Sequence, residues 1–132
     1  MGLLVAIVLV HFLITLAHGA AHSGAQVGLG PAGMAFVIAV IEAGPLVGLV
    51  LAFIRPVAGA ALVAATMAGA FLFGVINHFI IVSADHVSQV APPWHTPFTA
   101  TAVLLAVVEL AAAWVAVRCM TRVLRISPIS SI

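Results

Sequence analysis

Six histidines, three acids and a single cysteine are the side chains of this 132-residue chain suited to holding a metal or moving a proton. Their spacing sorts most of them into two sets. His11, His18 and His22 stand seven and four residues apart, which at about 100° per residue keeps them within about 20° of one helical stripe. His18 and His22, at i and i+4, place two imidazoles on one face, a spacing that can chelate one transition metal. The stretch from Gly74 to Phe98, GVINHFIIVSADHVSQVAPPWHTPF, adds His78, Asp85, His86 and His95. The metal-ligand set expected from the sequence is therefore His18, His22, Asp85, His86 and His95. Imidazole-plus-carboxylate ligation suits zinc, copper or iron rather than calcium or magnesium. Glu42 and Glu109 stand alone in apolar runs, and ionisable groups in such runs mark pathways or cofactors. With His11 and His78 they form a second expected set, a cofactor-binding one.

The elements that must position these residues are membrane helices. Hydrophobic residues make up 65% of the chain and charged ones 5%, with a mean hydropathy of +1.38; soluble domains do not have such values. A helical span takes about 20 apolar residues, and the sequence offers runs at about 3–21, 32–54, 57–84 and 98–124. The fold class expected is an all-α integral membrane four-helix bundle forming one transmembrane domain, with no room for a soluble one. Leu3–Ala17 lacks a positive n-region and reads as the first helix rather than a signal peptide. Pro45 lies three residues after Glu42 and cannot donate to the carbonyl of Ile41, so a kink is expected beside that acid. Gly44 and Gly48, and Ala61, Ala65 and Gly69 in the third helix, read as small-residue packing seams. Arg55-Pro56 leaves room only for a tight turn between antiparallel neighbours. His78 and Asp85, seven residues apart on a third helix running to residue 84, would share a face. The loop VSQVAPPWHTP cannot be helical at Pro92-Pro93, Trp94 there suits an interfacial anchor, and SPISSI ends the fourth helix in a polar tail.

All four basic residues are arginines. Arg55 lies in the second turn and Arg118, Arg122 and Arg125 at the end of the fourth helix, so all fall on one side. Positive residues mark the cytoplasm. Both termini are expected there, and the histidine-bearing loops are expected to be extracytoplasmic, in a multi-pass protein of the cell membrane. At about 1.5 Å per residue, Glu42 and Glu109 sit roughly 15–18 Å below the outer surface, near the depth of His11.

The net charge of +1 gives no nucleic-acid patch. A single cysteine, Cys119, excludes an internal disulfide and a C-x-x-C redox pair. A haem could be held between a first-helix and a third-helix histidine without any cysteine. Phe71, Phe73, Phe79 and Trp114 could line a quinone or lipid pocket. The lipid bilayer is the one certain partner; a larger membrane redox complex or a homo-oligomer are the others in view.

The run VIEAGPLVGLVLAFIRPVAGAALVAATMAGAFLFGVINH resembles the DoxX-like group of small four-helix membrane proteins, over about residues 36–84. In that group a second-helix glutamate precedes a Gly/Leu-rich half-helix, an arginine turn and an alanine-rich third helix ending near a polar residue or histidine. Glu42, Arg55 and His78 occupy those positions. The first helix differs, with a histidine ladder in place of the group's glycine-and-lysine ending. The resemblance implies the four-helix fold and membrane-bound redox partnership, because the group includes small subunits of a thiosulfate:quinone oxidoreductase. The function expected is binding of a transition metal or redox cofactor near the extracytoplasmic face, as a membrane oxidoreductase or a subunit of one. A proton or metal-ion conduit and a structural accessory subunit are the alternatives.

Overall fold

The computed structural model describes residues 1–126; the tail SPISSI lies outside the described residues. The described chain is helical, and four helices are long and apolar enough to cross a membrane: α1 Gly2–Ala25, α2 Pro31–Ile54, α3 Pro56–Ile80 and α4 His95–Ile126. The expected fold class, an all-α four-helix membrane bundle, is the one observed.

α1 and α4 are built alike. α1 buries Leu4, Val8, His11, Thr15, His18 and Ala21, and α4 buries Phe98, Ala102, Leu105, Glu109, Ala112 and Ala116. Steps of three and four residues place each set on one face, and the two helices pack against each other. His11, His18 and Glu109 thus occupy inward positions that apolar residues fill elsewhere on the same stripes.

α2 and α3 meet backbone to backbone. A Cβ added to Gly48 would lie 2.8 Å from Val63 Cγ2, and one on Gly59 would run into the backbone of Ala52. Only glycine permits this approach, which lets dispersion contacts hold two helices together in lipid. The seam of α3 runs through Gly59, Ala60, Val63, Thr66, Met67 and Ala70, whereas Ala65 of the expected Ala61, Ala65 and Gly69 stripe is exposed. Four-residue steps drift about 40° each around a helix, so that stripe turns about 80° between its ends and cannot follow one neighbour.

Two segments depart from α geometry. Val37–Ala43 in α2 and Ile76–Ile80 at the end of α3 are π-helical. The first sits just ahead of Pro45, whose nitrogen has no hydrogen to donate, where the sequence predicts a kink. A π turn widens the helix and re-aims its side chains; Glu42 lies in the first of these segments and His78 in the second. α3 stops at Ile80, four residues before its expected end, because Ile81 is extended. The chain then folds through a 3-10 turn at Val87–Gln89, and α4 begins at His95. Pro97 falls in its first turn, where a missing N–H costs nothing.

Met1, Pro56, Cys119 and Arg122 line one small cleft, so the N-terminus, the Arg55-Pro56 turn and the end of α4 share one end of the bundle. The histidine-rich loops occupy the other. α1 meets α2 mainly along Gly44–Ile54, near the arginine end, and toward the histidine end the two helices separate.

Candidate metal centre

At the histidine end three imidazoles converge. His18 Nε2 lies 3.1 Å from His78 Nε2 and 3.2 Å from His22 Nε2, and one ligand atom from each of the three falls within 4.8 Å of the others. The i, i+4 spacing in α1 brings His18 and His22 together, with ring centroids 4.7 Å apart. His78 reaches them from the π turn at the end of α3. The fully buried ring of Phe98, from the first turn of α4, backs all three at centroid distances of 5.0, 4.8 and 5.3 Å for His18, His22 and His78.

The partners of the other ring nitrogens fix the tautomers. Thr101 Oγ1 uses its hydrogen on the carbonyls of Pro97 and Phe98, so it accepts from His18 Nδ1 at 2.8 Å. His22 Nδ1 donates to the carbonyl of Val27 at 3.2 Å, and His78 Nδ1 to that of Asp85 at 3.0 Å. With every Nδ1 carrying its proton outward, each neutral imidazole turns a bare Nε2 lone pair toward the others. The His22 and His78 nitrogens lie 3.2 and 3.1 Å from that of His18, and facing lone pairs at that distance repel unless a metal ion or a proton lies between them. Nitrogens bound about 2.0–2.1 Å from a tetrahedral ion stand about 3.3–3.4 Å apart, close to the two separations from His18 Nε2.

The Val27 carbonyl is delivered by a specific piece of backbone. Gln26 closes α1 in the left-handed region at φ 56°, and the Val27 N–H returns to the carbonyl of His22 at 3.0 Å. A non-glycine residue rarely adopts that conformation, and here it folds the chain back over His22.

Asp85 supplies a second sign of a cation. Its Oδ1 lies 3.3 Å from His22 Nε2 and 3.3 Å from His78 Nδ1. The residue is 6% exposed, and neither carboxylate oxygen has a well-aligned hydrogen-bond donor. A buried carboxylate left this way is costly unless positive charge stands beside it.

The cluster opens onto a cavity of about 650 Å³ reached by all four helices. His18, His22, His78 and Asp85 line one part of it, and Thr15, Glu42 and Glu109 another. Deeper still, His11 Nε2 lies 3.4 Å from Glu109 Oε1 and 3.4 Å from Thr15 Oγ1; both His11 and Glu109 are buried, at 1% and 3% exposure. Glu42 is half-buried on the α2 wall.

The structure thus places the residues singled out in the sequence as follows. His18, His22 and Asp85 of the expected metal set come together, and His78, expected with the deeper cofactor set, joins them. His86 instead caps the 3-10 turn, its Nδ1 accepting from Ser88 N at 3.2 Å, and His95 is exposed at the start of α4; neither belongs to the convergent group. His11 and Glu109 pair, and Glu42 faces the same cavity. His78 and Asp85 do meet, though not by sharing a helical face: α3 has ended, and the turn after it carries Asp85 back. Sequence reasoning missed Thr101, Phe98, Thr15 and the Val27 carbonyl. Thr101 carried one faint signal, a hydroxyl in an apolar helix at the level of the histidines.

No family model matches the chain, and neither a curated protein nor a solved structure matches it at a significant level.

Proposed function

We propose that this protein is a membrane-embedded metalloprotein in which His18, His22 and His78 hold one zinc, copper or iron ion, with Asp85 beside it and an open position toward the cavity. The convergence of three Nε2 lone pairs, each enforced by a hydrogen bond at the opposite ring nitrogen, carries this reading. Such outer partners orient ligand imidazoles and raise their basicity. Three protein ligands with a free position is the pattern of reactive rather than purely structural sites. A bis-imidazole haem needs two nitrogens about 4 Å apart across a flat macrocycle, so a bare ion fits the cluster better. With copper or iron the protein would act as a small membrane oxidoreductase or as the metal-bearing subunit of one. The resemblance of residues 36–84 to the DoxX-like group supports that redox assignment.

A conduit is less well supported. Below the His11–Glu109 pair the bundle closes in an apolar core of Leu4, Val8, Leu49, Val63, Met67 and Ala112, and the buried Thr66 beside it turns its hydroxyl onto the carbonyls of its own helix. The one-sided arginines support a reading in which their end is cytoplasmic and the metal centre lies near the extracytoplasmic face. Cysteines introduced at Gln26 and Gln89 are then expected to react with an impermeant reagent from outside, and labelling from the cytoplasm alone would reverse the orientation.

The deciding experiment is elemental analysis with an absorption spectrum on protein purified without chelator, followed by zinc, copper(II) and iron(II) titrations. One tightly held ion per chain is expected. A wild-type protein that purifies bare and takes up none of the three ions would overturn the proposal.

A further inference from the structure

We infer that the cavity beside the histidine cluster takes a lipophilic molecule with a hydrogen-bond-donating head, a long-chain alcohol or amine in class, that enters sideways from the bilayer between α1 and α2. This rests on the proposed metal centre, since one cavity serves both.

The route follows from the packing. α1 and α2 touch mainly along Gly44–Ile54, so the wall between them is open over the half that holds the cavity. Leu16 of α1 and Met34 of α2 both line the cavity and are 52% and 46% exposed. In a membrane, those exposed faces meet lipid chains rather than water. A molecule already dissolved in the bilayer therefore reaches the cavity without crossing an aqueous mouth.

The head group follows from charge. Glu42 and Glu109 approach the cavity from α2 and α4, Asp85 lies at the histidine cluster, and no arginine or lysine is among the lining residues. At the Glu42–Glu109 end of the cavity, away from the histidines, a carboxylate or phosphate head would meet two acids and no arginine or lysine, at low dielectric. An O–H or N–H head finds acceptors instead. Glu109 is held by His11 at 3.4 Å, and its carboxyl group offers an acceptor to such a head. The volume, about 650 Å³, falls in the range that encloses most of a medium-sized organic ligand.

Gly19 provides the control. It lines the cavity at an exposed position, and a Cβ built on it meets no atom within 4 Å, so a side chain can be added at the cavity wall without moving a helix. The test uses metal-loaded, full-length protein in phosphatidylcholine nanodiscs, photolabelled with dodecanol carrying a mid-chain diazirine and mapped by peptide mass spectrometry. Adducts are expected around Leu16 and Met34. Decanol and decylamine should displace the label at least about tenfold more effectively than decanoate. Gly19→Leu should abolish cavity labelling with metal content unchanged, and the milder Gly19→Ala should reduce it. The inference is overturned if adducts spread evenly over lipid-facing residues such as Leu13 and Phe53, if decanoate competes equally, or if Gly19→Leu labels like wild type. Selective cavity labelling in a chain that holds no metal would instead remove the metal proposal and leave this one standing.

Discussion

At the arginine end Leu4, Val8, Leu49, Val63, Met67, Ala112 and Ala116 close on one another without a buried ionisable group, and Gly48 and Gly59 bring α2 and α3 into backbone contact. At the histidine end the same four helices part around a cavity of about 650 Å³ lined by three histidines and three acids. One half is packed by shape and the other is held apart by polar groups. In lipid no hydrophobic force drives helices together, so close packing must do so. The arginine half can supply it because small residues and large apolar ones alternate there. The histidine half is then free to keep groups that are expensive in hydrocarbon, provided that each has a partner.

That division is broken most directly at the ligands. Replacing His18 or His78 by alanine is expected to weaken metal binding by more than about 100-fold, beyond the 10–100-fold typical of losing an outer partner, while helical circular dichroism stays unchanged. Unfolding instead would mean that the histidine half holds the bundle together. Acid should act in the same direction: protons compete with the metal for the three Nε2 atoms, so affinity should fall as pH drops, as measured by metal retention on dialysis. Gly59→Leu probes the other half. Its side chain has no room against Ala52, and a loss of about 1–3 kcal/mol is expected from overpacking, read from denaturant titration in detergent. Gly19→Leu, with open space at Cβ, should stay within about 0.5 kcal/mol of wild type. Asp85→Asn and Thr101→Val should each cost about 10–100-fold in metal affinity with little change in stability, and calorimetric titration of metal checks both. The smallest effect is expected at Gln26, where φ is 56°. Gln26→Gly should stabilise the α1 end by up to about 1 kcal/mol with metal affinity unaltered.

The sequence by itself determined that this is a bundle of four membrane helices, because length and hydropathy in a bilayer leave few other ways to satisfy the backbone. It also determined the inward histidine stripe of α1, since i, i+4 and i, i+7 relations are local consequences of 3.6 residues per turn. The close approach at Gly44 and Gly48 was legible too, because small side chains mark it, whereas the kink expected beside Pro45 takes the form of a π-helical segment in a continuous helix. The third ligand was not. His78 joins His18 and His22 because a π turn re-aims it, and Asp85 reaches both because α3 stops at Ile80 and the chain doubles back; a count at 100° per residue loses its phase at both places. His86 and His95 are as suited to metal by chemistry as the other histidines, yet one caps a turn and the other faces outward, which depends on where the loop runs. Thr101 and the Val27 carbonyl become partners of ligand imidazoles only once α4 and the turn at Gln26 lie against α1. Local periodicity fixes which face of a helix a residue occupies, whereas the meeting of faces from different helices is set by packing at the far end of the bundle, and only the tertiary structure decides that.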